Sequence, residues 1–329
     1  MGILNAFFRK LDKLIQNLAN KPIRNKLNFE GRSSAGMVPK PEQLLAERRE
    51  KLESLSIPSQ FFHLVKFAIE RPTVQLERGA LITSIDVDVG SHLVGQINRG
   101  KNDLNVHGYL SEYRVGQIEE YVIPLLIDLY NDLEIPVTFA VRGQITETES
   151  DLLTRLLDSH IKHDIAAHGY YHRTFSSISD LEAKKELQLL SIGLKKFRIY
   201  PKSFVFPKNE IGHLTLLEKY EYKCYRGWGG FRKDELSIRK QGHLYDIRPS
   251  FHIGTTYNPV FLKKIVDISC KNKLPFHIWY HPRDLYETRG RSTEKNIESV
   301  LLPIYRYAKK KEKYGILSFE TMRSVVENP

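Results

Sequence analysis

From about residue 80 to the end of the chain, short apolar segments alternate with longer amphipathic ones. The apolar segments predict strands at 80–86, 136–141, 164–167, 203–206, 222–226, 243–247, 275–281 and 315–318. The intervening segments predict helices at 114–133, 147–161, 178–195, 209–220, 258–272 and 292–311. Strands that alternate with helices pair in parallel, so the pattern predicts an α/β fold whose sheet is open or closed into a barrel.

An acidic pair ends the first predicted strand. Asp86 and Asp88 follow an apolar run and, two residues apart in a strand, point to the same face. Two carboxylates this close raise the pKa of one of them unless a cation is present. A bound divalent metal removes that cost and leaves the second carboxylate as a general base. Two solvated acids in a turn are the alternative, which the apolar strand before them disfavours.

Two histidines, His168 and His172, follow another predicted strand in the segment His-Gly-Tyr-Tyr-His. Two imidazoles and a carboxylate at strand ends are the ligand set of a catalytic metal site that keeps positions for water. Taken alone the pair is a weak signal, because a polar turn can hold two exposed or capped imidazoles. Tyr171, between the histidines, could line the pocket at this metal site.

Two further strand ends carry candidate residues. His281 ends its predicted strand and is a candidate proton donor to a leaving group, whereas His277 is expected to pack in the core. At the start of a predicted helix, the segment 207–209 is Pro-Lys-Asn. Its backbone N–H groups and the charge of Lys208 could face a developing oxyanion, although a simple strand–helix turn is the alternative.

In order and spacing, these motifs resemble the NodB-homology polysaccharide deacetylases of carbohydrate esterase family 4. The similarity covers roughly residues 80–325 and includes the strand segment 135–143, Ile-Pro-Val-Thr-Phe-Ala-Val-Arg-Gly. It implies a distorted (β/α) barrel with one divalent metal ion, most often Zn²⁺. The roles it implies are base for Asp86, metal ligand for Asp88, His168 and His172, and catalytic acid for His281.

The chain departs from the family pattern in several places. Val87 splits the acidic pair, and Gly169 replaces the usual Ser or Thr after the first histidine. Both features indicate an atypical subgroup that includes allantoinase-like members. The arginine that partners the base in the family is missing from its usual motif, so Arg142 or Lys208 is the candidate in its place. Asp246 is the candidate for the acid that orients the catalytic histidine.

The first twenty residues have the pattern of a basic amphipathic helix. Its apolar stripe consists of Ile3, Leu4, Phe7, Phe8, Leu11, Leu14, Ile15 and Leu18. Such a helix can lie in an anionic membrane surface through residues 1–26, or dock on the protein's own body or on another subunit. We therefore expect a helical extension at 1–35, a linker and helical segment at 36–79, and the deacetylase-like domain at 80–329.

The composition bears on the partners and the cellular location of the protein. With 50 Lys and Arg against 39 Asp and Glu, the net charge is +11, which favours an anionic partner but also fits an ordinary basic protein. No nucleic-acid-binding module accompanies the charge, so a nucleic-acid role is not expected. The two cysteines, and the lack of a secretory pattern or a spanning apolar run, predict a cytoplasmic protein, with attachment to the inner face of the membrane as an option.

Together these observations predict a metal-dependent hydrolase that removes an N-acetyl group from an amino sugar. A lipid-linked or nucleotide-linked sugar would suit the positive charge, because its phosphates are anionic. One alternative is hydrolysis of a non-sugar amide, as in allantoinase-like proteins. The other is a catalytically silent carbohydrate-binding protein on the same scaffold, since a fold does not fix a function.

Overall fold

The computed structural model describes residues 74–88, 112–148, 150–227, 237–253, 259–286 and 291–327. The predicted extension at 1–35 and most of the predicted segment 36–79 lie outside the described residues, and both stay predictions. Within the described ranges, no helix combines the length and the apolar character needed to cross a membrane.

Ten strands form one sheet in the order β6-β7-β5-β4-β3-β2-β1-β9-β8, with β10 paired to β1. Their bounds are β1 Gly79–Val87, β2 Thr138–Val141, β3 Asp164–Ala167, β4 Ser203–Val205, β5 Cys224–Arg226, β6 Ile238–Gln241, β7 Leu244–Ile247, β8 Phe251–His252, β9 Pro275–Tyr280 and β10 Leu317–Glu320. All pairs are parallel except β6 with β7, and the sheet curls into a half-barrel. The predicted parallel α/β architecture is therefore confirmed.

In the described part of the chain, ten α-helical segments surround the sheet. They are α1 Glu112–Gln117, α2 Ile123–Asp132, α3 Ile145–Thr148, α4 Ser150–Leu157, α5 Asp180–Lys195, α6 Leu214–Lys219, α7 Pro259–Asn272, α8 Thr293–Asn296, α9 Leu302–Lys313 and α10 Ser324–Glu327. Wider π-helical turns at Ile118–Val122 and Ile297–Leu301 join α1 to α2 and α8 to α9. Each lies directly before a helix with proline in its first turn, where the missing N–H disturbs regular α-helical bonding.

All eight predicted strands are present, and their ends lie within two residues of the predicted ones. The sequence analysis missed β6 and β8, at the two edges of the sheet. β6 is polar and half-exposed, and β8 has only two residues, so neither has the apolar run by which a strand is recognised. The helix predicted at 209–220 is shorter, because residues 207–209 form a tight 3₁₀ turn and α6 begins at Leu214.

Alternation along the strands decides which side chains line each face of the curled sheet. In β1, Leu81 and Ile85 join the large core beneath the helices, whereas Ala80 and Ile82 join a smaller core on the opposite face. Asp86 has the same parity as Ala80 and Ile82 and therefore shares their face. The parallel arrangement also brings the carboxyl ends of the strands to one edge, where parallel α/β proteins place their sites.

Candidate metal centre and active site

Three predicted metal ligands meet at the carboxyl edge of the sheet. Asp88 directly follows β1, His168 directly follows β3, and His172 lies four residues further along. All three are buried, and their candidate ligand atoms lie within 4.8 Å of one another. His172 Nε2 is 3.6 Å from Asp88 Oδ2. The structure thus gathers one carboxylate and two imidazoles, which is a ligand set for Zn²⁺.

A tight turn brings the two histidines together. Gly169 has φ +70° and His172 has φ 59°, so both lie in the left-handed region that favours glycine. A Cβ atom at Gly169 would lie only 3.3 Å from Glu186 Oε2. That buried carboxylate, on α5, accepts hydrogen bonds from the backbone N–H groups of Tyr170 (2.7 Å) and Tyr171 (2.9 Å). The glycine that departs from the family pattern therefore has a conformational explanation, and Glu186 is a supporting residue that the sequence analysis missed.

His168 is prepared to act as a ligand through Nε2. Its Nδ1 is 2.8 Å from the backbone oxygen of Val205, and a carbonyl only accepts, so Nδ1 carries the hydrogen. Nε2 is buried and has no hydrogen-bond partner among the residues described. Burial lowers the pKa of this imidazole, which favours the neutral form that binds metal. An orphaned, buried ring nitrogen beside a carboxylate and a second imidazole fits a divalent cation.

Arg283 holds the carboxylate of Asp88 from the other side. Its Nη1 donates to Asp88 Oδ1 at 2.5 Å, whereas Oδ2 is the oxygen nearer His172. Burial opposes the charge of Arg283, but the aspartate more than offsets this and the pKa of the guanidinium is raised. A residue that fixes a metal ligand in this way supports affinity without touching the metal. Nothing in the sequence pattern singled out Arg283.

Asp86, the predicted base, is paired with an arginine that the sequence analysis did not identify. Arg226, fully buried at the end of β5, donates from Nη2 to Asp86 Oδ2 at 2.5 Å and from Nη1 to Ser84 Oγ at 2.8 Å. Burial raises the pKa of Asp86, but the charge of Arg226, with that of His168 and His281, lowers it below the usual value. Asp86 is therefore an ionised carboxylate near neutral pH.

This pairing corrects the prediction of Arg142 or Lys208 as the cation beside the base. Arg142 is buried and donates to Gln144 Oε1 at 3.0 Å, while Lys208 is half-buried in the turn after β4. Lys208 and Asn209 both have φ 57°, an uncommon geometry for non-glycine residues at the edge that carries the site. The available signal for Arg226 was a charged residue at the carboxyl end of a predicted strand, the edge that carries the site, where a buried charge needs a partner.

His281, the predicted acid, faces both aspartates. Its Nε2 is 3.8 Å from Asp86 Oδ2 and 3.8 Å from Asp88 Oδ2. Its Nδ1 is 3.1 Å from Asp284 Oδ2, which also accepts the backbone N–H of His281 at 2.8 Å. Asp284, rather than the predicted Asp246, is therefore the acid that orients this ring.

Asp246 was assigned to the wrong role because a buried carboxylate can have a cation of its own. It lies on β7, and its Oδ2 accepts from Arg248 Nη2 at 2.5 Å and from Arg248 Nε at 2.7 Å. Both residues are buried. Of the predicted site residues, the structure thus gathers five into one cluster: Asp86, Asp88, His168, His172 and His281.

Comparison with known proteins agrees with this geometry. Residues 116–224 match the family model described as polysaccharide deacetylase, a stretch that contains both histidines of the metal triad. No curated protein matches the sequence. A Mycobacterium smegmatis structure that bears the polysaccharide deacetylase name is similar in fold, with 15% identity and a TM-score of 0.58 over 78% of this chain and 93% of that chain.

Two more solved structures have a similar fold. A Pseudomonas aeruginosa PAO1 protein, also named as a polysaccharide deacetylase, has 11% identity and a TM-score of 0.56 over 75% of this chain and 89% of that chain. Puue allantoinase has 12% identity and a TM-score of 0.55, with the same coverage of 75% and 89%. At such identities the likeness concerns the fold alone, and membership of an atypical subgroup stays a prediction. Over residues 116–224 the chain is thus similar to the polysaccharide deacetylase family, and its parallel half-barrel matches the fold of solved structures that bear that name.

Proposed function

We propose that this protein is a metal-dependent hydrolase that removes the N-acetyl group from an amino sugar. The observation that carries the proposal is the meeting of a metal triad, a charged carboxylate and a carboxylate-bound histidine at one edge of the sheet. Hydrolysis of an amide needs an attacking water, a base, a stabiliser for the oxyanion and an acid for the departing amine. Each has a candidate here.

Asp88, His168 and His172 would hold the cation, and Zn²⁺ suits two imidazole nitrogens and one carboxylate oxygen best. A divalent ion bound there supplies Lewis acidity toward the acetyl carbonyl and toward water. The hydrogen bond from His168 Nδ1 to Val205 and the bond from Arg283 to Asp88 fix two of these ligands.

Asp86 is the proposed base. It takes a proton from the attacking water, whose oxygen adds to the acetyl carbon. Arg226 keeps Asp86 ionised and holds its carboxylate on the inner face of the sheet. Because Arg226 is completely buried, its charge acts on Asp86 with little screening by solvent.

His281 is the proposed acid. Nδ1 is bonded to Asp284, so Nε2 is the nitrogen that would give a proton to the departing amine as the C–N bond breaks. Acetate and a free amino sugar are the products. The carboxylate of Asp284 stabilises the charged ring, as an aspartate does for a catalytic histidine in general.

Lys208 and Tyr171 are proposed on the substrate side. Lys208 follows β4 at the same edge of the sheet, where its N–H group and its charge can meet the oxyanion. Tyr171 is half-buried beside His172, and its backbone is held by Glu186. Arg142 and Asp246 receive no catalytic role in this proposal: Arg142 donates to Gln144, and Asp246 accepts from Arg248, while Arg226 and Asp284 hold the positions expected for them.

The proposed substrates are N-acetylhexosamines linked to a lipid or a nucleotide. The support is the net charge of +11, which would attract the phosphates of either carrier. A cytoplasmic location, with residues 1–26 on an anionic membrane surface, belongs to the same proposal. Its support is the apolar stripe and the basic residues of that segment.

Mass spectrometry of such sugars, incubated with the zinc-loaded protein, tests the reaction. We expect a loss of about 42 Da for each acetyl group removed, because the proposed reaction is metal-assisted amide cleavage. Activity should disappear with a chelator and return with Zn²⁺. Release of acetate that persists in a metal-free sample would contradict the metal mechanism, and zinc binding without acetate release from any acetylated sugar would contradict the substrate.

Non-sugar amides form the competing arm of this assay. The fold is also that of an allantoinase, and the metal triad and acid would serve a cyclic amide equally well. Product formation from cyclic amides alone would favour hydrolysis of a non-sugar amide. A silent binding protein would bind sugar but cleave neither class, and the complete set of base, ligands and acid argues against it.

A further inference from the structure

A second histidine contacts the aspartate that orients His281. His252, the last residue of β8, places its Nε2 2.8 Å from Asp284 Oδ2. The same oxygen accepts the N–H and the ring Nδ1 of His281, at 2.8 and 3.1 Å. Asp284 therefore joins two imidazoles, one from an edge strand and one from the active site. The sequence analysis identified neither His252 nor Asp284.

The strand pairing explains why His252 reaches this position. His252 lies opposite Trp279 in the register of β8 with β9, and His281 follows Trp279 by two positions, so the two share a face. The ring of His252 lies 4.3 Å from that of Trp279 and 5.8 Å from that of His281, centroid to centroid. A packed group of three rings thus limits how each of them can turn.

A second donor reaches Asp284 from outside its own turn. Asp284 is the last residue of the short 3₁₀ turn Pro282–Asp284, and its Oδ2 accepts from His281 at the start of that turn. His252 supplies a bond from a different strand, which fixes the carboxylate relative to the sheet rather than to the turn alone. The carboxylate in turn decides whether Nε2 of His281 faces the two aspartates.

We propose that His252 is a positioning residue for the catalytic acid: through Asp284 it holds the ring of His281 with Nε2 directed at the reacting centre. This inference rests on the proposed function, in which His281 protonates a departing amine. His252 itself touches neither the ligands nor the base in the described contacts. Its loss should therefore affect the proton-donating step and leave metal binding and water attack in place.

Two model substrates separate these steps. 4-Nitrophenyl acetate and 4-nitroacetanilide share the acetyl group and the ring, but the phenolate leaves without a proton whereas the anilide nitrogen must receive one. In zinc-loaded His252→Phe we expect kcat for the anilide to fall roughly tenfold to a hundredfold, the scale of a misplaced catalytic group, and the ester rate to stay near wild type. His252→Gln, whose amide can still donate to Asp284, should recover most of the anilide activity.

Other outcomes overturn the proposal. Equal losses on ester and anilide in His252→Phe would show a general packing role. Failure of His252→Gln to recover would show that the hydrogen bond to Asp284 is not what matters. Calorimetry that finds a second zinc ion in the wild type, lost in both variants, would make His252, Asp284 and His281 a metal site instead.

The proposed function and the positioning role of His252 can be tested separately. If the wild type cleaves neither probe and releases no acetate from any acetylated sugar, the hydrolase proposal fails, and the crystal structure of His252→Phe still decides the positioning role. A His281 ring that turns away from Asp284 in that structure supports it. A ring that keeps its 3.1 Å bond overturns it.

Discussion

Two buried aspartates lie at opposite ends of the same sheet, and their surroundings shift their pKa values in opposite directions. Asp86 is near the carboxyl end of β1, and Asp164 begins β3 at the amino end. Both are buried, with 3% and 7% of their surface exposed. Burial raises the pKa of each, yet the pKa of Asp86 ends below its usual value and that of Asp164 above it.

The neighbours explain the difference. Asp86 meets the full charge of Arg226 at 2.5 Å. Asp164 accepts from the hydroxyls of Ser203 (2.7 Å) and Thr138 (3.2 Å), whose dipoles only partly offset its desolvation. Burial by itself therefore does not mark a catalytic carboxylate. A buried cation in contact with it keeps the carboxylate charged, but the pair of Asp246 with Arg248 shows that the carboxylate must also lie beside the candidate metal ligands to serve as a base.

The largest expected effect comes from Asp86→Asn. Without a base, kcat for deacetylation should fall by roughly 10² to 10⁴, the range for general acid–base catalysis. Stability should fall too, because Arg226 would lose the carboxylate that balances its buried charge, a loss on the order of 3–5 kcal/mol. Acetate release and urea unfolding of the same preparation measure both.

Asp164→Asn is the matched control for that variant. Asp164 begins β3 at the amino end of the sheet, away from the candidate metal ligands, and an amide oxygen can still accept from Ser203 and Thr138, so kcat should stay near wild type and the loss of stability should be small. A large loss of activity in Asp164→Asn would break the comparison, since it would show that charge is needed at both ends of the sheet.

Arg283→Leu should weaken metal binding. The change leaves Asp88 without its 2.5 Å bond, and residues that orient metal ligands typically contribute 10- to 100-fold in affinity. Competition with a chromophoric chelator gives the dissociation constant for Zn²⁺. Arg155→Ala is the control, because Arg155 makes a 3.6 Å pair with an aspartate on the surface, where both side chains are at least half exposed. Unchanged zinc affinity in Arg283→Leu would remove this residue from the metal centre.

The candidate metal ligands could be predicted from the sequence, because each follows a recognisable strand. Once strands β1 and β3 are placed in parallel, Asp88, His168 and His172 must share an edge, and their residue types already indicate zinc. The supporting residues could not be predicted in this way. Arg226 contacts Asp86 only because β5 and β1 belong to one curled sheet, and the sequence does not show which strands approach across it.

Asp284 illustrates a second limit on predicting site residues from the sequence. It follows the catalytic histidine by three residues, but its importance depends on a tight turn that folds its carboxylate back onto the ring. The alternative, Asp246, looked equally suitable because the sequence does not reveal that Arg248 already bonds it. Pairing among buried charges is a property of the packed molecule, whereas strand periodicity is a property of the chain.

A third buried ionisable group, His277, extends the comparison to acid stability. Its Nε2 is 2.7 Å from Ser84 Oγ, and the same hydroxyl oxygen accepts a hydrogen bond from Arg226. Burial, together with the nearby charge of Arg226, lowers the pKa of His277 to about 3. The unfolded chain, with a pKa near 6.5, therefore binds more protons between about pH 6.5 and pH 3. Stability should fall as the pH drops through this window, by at most about 1.4 kcal/mol for each pH unit from this group.

His277→Gln should reduce that slope. Urea unfolding at pH 6.5, 5.5 and 4.5 compares the slopes directly, so a uniform loss of stability in the variant does not affect the result. His243→Gln, at an exposed position, is the matched control and should keep the wild-type slope. An unchanged slope in His277→Gln would mean that this imidazole does not stay neutral in the folded protein.

The smallest expected effect is at the amino end, in Ser203→Ala. The change removes the 2.7 Å bond to Asp164 Oδ2 and leaves Thr138 as the remaining hydroxyl donor. A hydrogen bond to a neutral group contributes about 1 kcal/mol and one to a charged group about 1.5–3 kcal/mol, so the size of the loss reports the state of Asp164. We expect a loss of about 1–2 kcal/mol in urea unfolding at neutral pH, with acetate release unchanged, because among the described residues all the catalytic candidates lie at the other end of the sheet. A loss above about 2 kcal/mol would mean that Asp164 is ionised, and the contrast with Asp86 would then rest on position along the strands rather than on charge.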